Sequence, residues 1–419
     1  MNKIYLIIFF CFSILKAQNN IIDTIYIEGN EKVKIHYLQR FIKAKKGDQL
    51  NIELVKRDAQ NLTNLPSIYD CRYKIDTSNQ VCNVHYIIQE SQTLIPFMNF
   101  GLSDEKSSNW ILVGITEYNF LGRGITLEGF YQYNQKNTFQ ILSSIPYIGI
   151  GDIGMEFNLK KWASIEPLYF PDVEEKILYD YHNNSLEMAF LYHLNLKNTL
   201  RFSYSLFQEN YERLNNKYPD TPISAKEMKN SVSLQYRLEK VNYFFHLQSG
   251  WRFFANTTKV MSNGTTIEDF MQADFKLSYY HRIKKNGNLA LNLTMGWANN
   301  PESPFSSFVI DNQINLRGVG DRVSRGSSIA SFNAEYRFDI YTNNWLAIQN
   351  VLFNDLTTIQ SMKISYENSM KPDNFRNFNG IGLRLILKKV HSAIFRIDFG
   401  FETKDPANNG LVIGFGQFI

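Results

Sequence analysis

Residues 289–297 read LALNLTMGW, which sets Leu289, Leu291, Leu293, Met295 and Trp297 on one face of an extended chain and Ala290, Asn292, Thr294 and Gly296 on the other. Side chains of a strand alternate between two faces, so this stretch has one greasy side and one small or polar side. Residues 392–402, SAIFRIDFGFE, repeat the pattern, with Ala393, Phe395, Ile397, Phe399 and Phe401 set against Ile394, Arg396, Asp398, Gly400 and Glu402. The chain around them holds 32 Phe and 24 Tyr in 419 residues with a formal net charge of +4. After residue 18 it offers no apolar run near the ~20 residues that a spanning helix needs. Alternating aromatic-rich strands without spanning helices predict an all-β transmembrane barrel, lipid outside and water inside.

The first residues predict export. Met1 to Lys3 is a short basic start, IYLIIFFCFSIL (Ile4 to Leu15) an apolar run too short to span, and Ala17 a small residue before a cut at Gln18. Residues 1–17 are therefore expected to be a signal peptide, although Leu15 departs from the small-x-small rule at the cut. Removing Cys11 leaves Cys71 and Cys82, which an oxidising compartment could join. They flank a short hairpin and oppose each other if its turn centres on Asp76 and Thr77; a slip of one residue sends them to opposite faces. The near-balanced charge gives no reason to expect a nucleic-acid partner.

Residues 20–92 read as a separate α+β unit of order βααββ. IDTIYIEGN is a strand ended by Gly29-Asn30, Ile35, Leu38 and Ile42 fall at helical spacing before Gly47-Asp48, and Asn51 is placed to cap a second helix carrying Ile52, Val55, Ala59 and Leu62 on one face. Two strands follow around 71–75 and 81–88. From residue 94 to 419 the alternation recurs in about 16 segments, an even number that closes a barrel with both ends in the periplasm. The connections after the fifth, seventh, eleventh and thirteenth segments are long (163–182, 210–228, 300–328 and 355–376), while even ones are mostly tight, such as KKNG and YTNN. Gly149 to Gly154 match GxGxxG, but the alternating MEFNLKKW that follows is no helix, so the stretch reads as a periplasmic turn.

IDTIYIEGNEKVKIHYLQRFIKAKKGDQL resembles a POTRA domain, the polypeptide-transport-associated module that precedes outer-membrane barrels. Three later stretches, EYNFLGRGITL (117–127), Leu316-Arg317-Gly318, and NGIGLRLILKKVHSAIFRIDFG, are similar in order and spacing to the barrel of the BamA and TamA superfamily of outer-membrane assembly and translocation proteins. The resemblance implies that the connection 300–328 folds back into the lumen and that Arg317 meets carboxylates there. Glu335 matches the family's strand-twelve glutamate and points inward by alternation; Asp355 matches its strand-thirteen aspartate, where alternation is too blurred to fix the facing. A desolvated guanidinium regains its losses by pairing bidentately with a carboxylate, and Gly318 allows a tight turn. Val319 stands where the family has an aromatic, which puts the packing of the loop tip in question. Arg322 and Arg325 read as solvated loop charges.

No GxSxG elbow or HExxH spacing is present, so neither an enzyme nor a cofactor or metal is expected. The function implied is assembly, insertion or translocation of unfolded outer-membrane or secreted client polypeptides, with outer-membrane lipids and periplasmic chaperones or accessory lipoproteins as partners. The closure between the first and last strands would recruit a client strand by its unsatisfied edges, weakened by Gly414 and Gly416. A passive pore or surface protein that keeps the barrel, and a two-partner exporter, are the alternatives.

Overall fold

The computed structural model describes residues 21–419, apart from 79–80, 104–108, 171, 172, 174, 216, 264–267, 313, 320–323 and 362–364. The signal-peptide segment and Arg322 therefore lie outside the described residues.

The N-terminal unit follows the expected order: β1 (Ile22–Glu28), α1 (Ile35–Leu38, continued by a 3-10 turn over Gln39–Phe41), α2 (Ile52–Thr63), β2 (Ile68–Asp76) and β3 (Cys82–Glu90). Its sheet runs β1-β3-β2, with β1 parallel to β3. Asn51 Oδ1 accepts the Leu54 N–H at 3.1 Å and starts α2. Val55, Ala59 and Leu62 then bury against Leu38, Val84 and Tyr86, whereas Ile52, grouped with them from the sequence, is exposed at the helix's N-terminal end. Asp58 on α2 is fully buried and accepts the Lys43 and Ala44 N–H groups at 2.9 Å, tying the helix to the preceding loop.

The β2–β3 register corrects the predicted cysteine pairing. Cys71 lies opposite Ile88, and the ladder's last pair is Asp76 with Asn83, so Cys82 falls beyond it and pairs with Ile22 of β1. The turn is longer than one centred on Asp76 and Thr77, and both cysteines are free and buried. Burial pushes the Cys71 thiol up to about 12.

The barrel strands are β4 (Leu94–Ser103), β5 (Trp110–Phe120), β6 (Ile125–Tyr133), β7 (Asn137–Ile145), β8 (Ile153–Leu168), β9 (Ile177–Asn195), β10 (Asn198–Arg213), β11 (Ser224–Phe244), β12 (Leu247–Ser262), β13 (Phe270–Ile283) and β14 (Gly287–Ala298). A hairpin of β15 (Phe308–Ile310) and β16 (Ser324–Gly326) sits in the next connection, and β17 (Ser328–Thr342), β18 (Leu346–Gln360), β19 (Arg376–Leu387), β20 (Ile394–Glu402) and β21 (Asn409–Phe415) complete the chain. The 16 long strands pair with their sequence neighbours and β21 pairs with β4, closing the barrel. The wall follows the alternation: Asn292 is buried inside and bonds to Asn333, while Trp297 is exposed on the lipid face.

Much of two connections expected as long loops, 163–182 and 210–228, is strand. β8, β9, β10 and β11 stand taller than their neighbours, and their outer ends bury Leu168, Ile177, Tyr179, Tyr181 and Tyr211 around Phe305. Above the membrane an apolar outer face is no longer required, so lipid-facing alternation stops there while the hydrogen-bonded ladder continues.

The POTRA-like unit seats on the barrel's near turns. Lys34 N–H donates to Gly122 O at 2.9 Å, and a Cβ on Gly124 (φ +66°) would collide with the Tyr37 ring, so the glycine-rich turn is shaped to that domain. The turn around Gly149 accepts Arg40 through the Gly149 and Gly151 carbonyls, and the Arg40 guanidinium lies 4.5 Å from the Tyr147 ring centre. Asn64 bonds Asn242 and Tyr243 on a third turn, and Gln92 bonds Lys389 and His391 on a fourth. These contacts define the near end as the one facing the POTRA-like unit.

Candidate functional site: the lumenal loop and the seam

The connection between β14 and β17 dips into the lumen, and Arg317 is fully buried at its deepest part. Its Nε and Nη2 donate to the two oxygens of Asp355, each at 2.8 Å, and its backbone N–H adds a third bond to Asp355 at 3.0 Å. Nη1 donates to Glu335 Oε1. A fork–fork pair with a further backbone donor is the geometry in which a buried guanidinium and carboxylate best offset their desolvation. Asp355 therefore faces inward, a point the sequence left open.

The ion cluster is larger than the sequence resemblance suggests. Arg337 Nε reaches Glu335 Oε2 at 2.6 Å, Arg384 Nη1 reaches Asp398 Oδ1 at 2.8 Å, and Arg396 lies 3.5 Å from Asp398. All of these side chains are buried. Arg396 and Asp398 lie on the polar face of the alternating stretch 392–402, so alternation carried their signal; which inward charges meet across the lumen depends on barrel register. The aromatic absent at position 319 is replaced from elsewhere: the Arg317 guanidinium is stacked between Phe353 at 3.7 Å and Phe418 at 4.1 Å. Val319 itself is buried in a small apolar cluster with Ile310 and Leu316.

Arg325 corrects the solvated-charge reading. It is 7% exposed and donates through Nη2 to the fully buried Glu166 on β8 at 2.6 Å, with Nη1 on the Ser306 carbonyl. The hairpin of β15 and β16 aims Arg325 at β8, while Arg317 is held by β17 and β18. Six strands lie between β8 and β17 by the shorter way around the 16-strand ring, so the loop crosses the lumen from wall to wall.

The loop also lies against the closure. Gly318 has φ +92°, and a Cβ there would sit 2.6 Å from the Gly400 carbonyl oxygen; a Cβ on Gly400 would meet the Arg317 carbonyl at 2.7 Å, and one on Gly410 the Gly318 carbonyl at 2.8 Å. Loop backbone and the inner faces of β20 and β21 are in direct contact. On the other side of the closure, Asn312 of the loop packs beside Gly101 of β4. Between these contacts, among the described residues, β21 pairs with β4 through Gly410 to Ile413, four partners against the seven that join β20 to β21. At Gly414 a side chain takes over from the backbone ladder: a Cβ would come 2.9 Å from Asn99 Oδ1, which accepts the Phe415 N–H. Gly416 (φ +83°) then turns the chain inward, delivering Phe418 to Arg317 and the Ile419 carbonyl to Arg337 at 2.8 Å.

The sequence matches the Omp85 superfamily domain over residues 119–418 and a POTRA domain, described as a surface antigen variable number repeat, over residues 21–91. The chain belongs to the Omp85 superfamily. Among solved structures it is similar to BamA from Haemophilus ducreyi lacking POTRA domains 1–3, at 14% identity and a TM-score of 0.56, covering 94% of this chain and 84% of that one. CdiB from Acinetobacter baumannii matches at 14% identity and 0.56 over 96% and 74% of the two chains, and CdiB from Escherichia coli at 12% and 0.57 over 96% and 77%. A search of curated proteins finds no match to the sequence. The family assignment supports a general role in polypeptide insertion or translocation and an outer-membrane barrel with its POTRA domain on the periplasmic side.

Proposed function

We propose that this Omp85 protein inserts or exports client polypeptides at the outer membrane through the β4–β21 closure, with the lumenal loop as an internal strut. The observation that carries the reading is the closure itself. Among the described residues four pairs hold it, and towards Gly414 a side chain substitutes for the ladder. Unpaired strand edges recruit an extended segment by adding a strand, so a short closure flanked by free β4 backbone is where a client strand would pair. The Arg317 and Arg325 anchorages favour this over the passive-pore reading, because a loop tied to both walls obstructs free passage. POTRA contacts on four near turns put a client-receiving module beside the same opening.

A cysteine pair at Phe100 and Ile413, which face each other across the closure, tests the proposal. Oxidised Phe100→Cys/Ile413→Cys protein should fail to support client assembly or secretion and regain it on reduction, read by quantitative proteomics of outer membrane and medium after depletion of the wild type. Broad loss of barrel proteins would identify an insertase, and loss of one secreted protein a dedicated exporter. Full activity with the closure locked would refute the proposal.

A further inference from the structure

Beyond the lumen, the far half of the lipid-facing wall carries a roofed groove. Strand parity puts Ala255 and Thr257 of β12, Ala273 and Phe275 of β13, and Met295 and Trp297 of β14 on the outer face, in two adjacent rows of ladder partners, Ala255–Phe275–Met295 and Thr257–Ala273–Trp297. The connection after β18 does not stand up into solvent. Thr358, one residue past the inward Thr357, faces outward and is 1% exposed because its hydroxyl donates to the Ser369 carbonyl at 2.7 Å. This bond lays the short helix α3 (Tyr366–Ser369) down onto the wall, and Tyr366 and Met370 close one side of a groove of about 560 Å³ that runs over Ala255, Thr257, Ala273 and Phe275. The other walls are strand faces continuous with the lipid-facing belt.

We infer that this groove holds one acyl chain of an outer-membrane lipid, retained more tightly than the lipids around the rest of the barrel. The assignment rests on the membrane-barrel reading above. A groove continuous with a wall that already faces hydrocarbon is filled from the same hydrocarbon. Trp297 lies one residue from the far end of β14, and Tyr366 sits in the far connection; both are about half exposed. Amphipathic rings of this kind concentrate at the membrane–water boundary, so the groove opens at headgroup level and runs along the wall as a lipid chain does. Thr257 and Ala273 leave the floor deep beside Trp297 where Leu or Phe would fill it, Phe275 forms an apolar wall in the next row, and each methylene buried there adds apolar contact.

The test uses full-length protein in vesicles of phosphatidylethanolamine containing rising fractions of the same lipid with a dibrominated acyl chain, which quenches nearby tryptophan. Trp297 should show a saturable component, complete at low brominated fraction, that disappears in Trp297→Phe and in Ala273→Phe but persists in Ile141→Phe, on the unroofed wall. Trp251, exposed on the near half of the lipid face, should be quenched only in proportion to the brominated fraction. Gel mobility with and without boiling verifies that Ala273→Phe is folded. Proportional quenching at both tryptophans, or a saturable component unchanged in Ala273→Phe, would leave an ordinary annular lipid only and overturn the inference. No quenching at either would instead sink the membrane reading on which it rests.

Discussion

Replacing Arg317 by alanine removes the one cation that Asp355 holds among the described residues. Asp355 would keep the Asn333 amide at 2.9 Å, while Glu335 would keep Arg337. Breaking a buried pair in this way costs about 3 to 5 kcal/mol, most of it the burden of an uncompensated carboxylate. Loss of the Phe353–Arg317–Phe418 stack adds to this, each cation–π contact being worth on the order of 1 kcal/mol or more when desolvated; water entering the vacated space offsets part of it. The net expectation for Arg317→Ala is a loss of about 3 to 5 kcal/mol, measured from the guanidinium midpoint of tryptophan fluorescence in detergent and from the temperature at which the compact gel band is lost. Asp355→Ala should cost less, because Arg317 retains Glu335. The double variant should fall short of the sum of the two by about 0.5 to 3 kcal/mol, since both losses act through one contact. Arg317→Lys keeps a charge but loses the planar fork, and should lie between wild type and alanine. A loss below about 1 kcal/mol for Arg317→Ala, or strict additivity in the double variant, would refute the strut.

Arg325→Ala should destabilise by a comparable amount, because it takes the guanidinium from the fully buried Glu166 carboxylate; wild-type stability in that variant would return Arg325 to the surface. Gly400→Ala places a methyl within 2.7 Å of the Arg317 carbonyl and should lower stability by about 1 to 3 kcal/mol through overpacking, checked in the same unfolding assay. Mass spectrometry of non-reduced protein should find two free thiols, with Cys71 resisting alkylation until the POTRA unit unfolds, since burial holds its thiol up near 12. His391, in the near turn after β19, has its pKa lowered by burial to about 4. The unfolded chain thus binds the proton first, so stability contributed here is complete above about pH 6.5 and declines as pH falls towards 4; His391→Gln should flatten that slope, and an unchanged slope would exclude the group.

The barrel was legible because lipid and water impose opposite demands on alternate residues, a pattern that strands such as 289–297 and 394–402 carry without any tertiary context. The tall ends of β8 to β11 were missed for the same reason: outside the bilayer the pattern is released, and aromatic packing around Phe305 leaves no period to read. Arg317 was marked by its motif, but Arg325 sits three residues before β17 in a run of Gly and Ser, and its partner Glu166 lies 159 positions away. Only ring closure brings them together. The cysteine register failed on a turn a few residues longer than the shortest one possible, a difference that composition does not encode.

The three-glycine contact bears on how this chain completes its own assembly. The loop comes from the middle of the sequence, yet its seat is built from Gly400, Gly410 and Phe418 at the far end, and the closure joins residue 100 to residue 413. Contacts so distant in sequence form late and slowly. A chain lacking its last two strands would leave Arg317 without Phe418 and the loop without its glycine floor, so seating the loop and sealing the ring become one terminal event. The buried arginine then acts as a completion check, fully satisfied only in a molecule whose last residues have arrived.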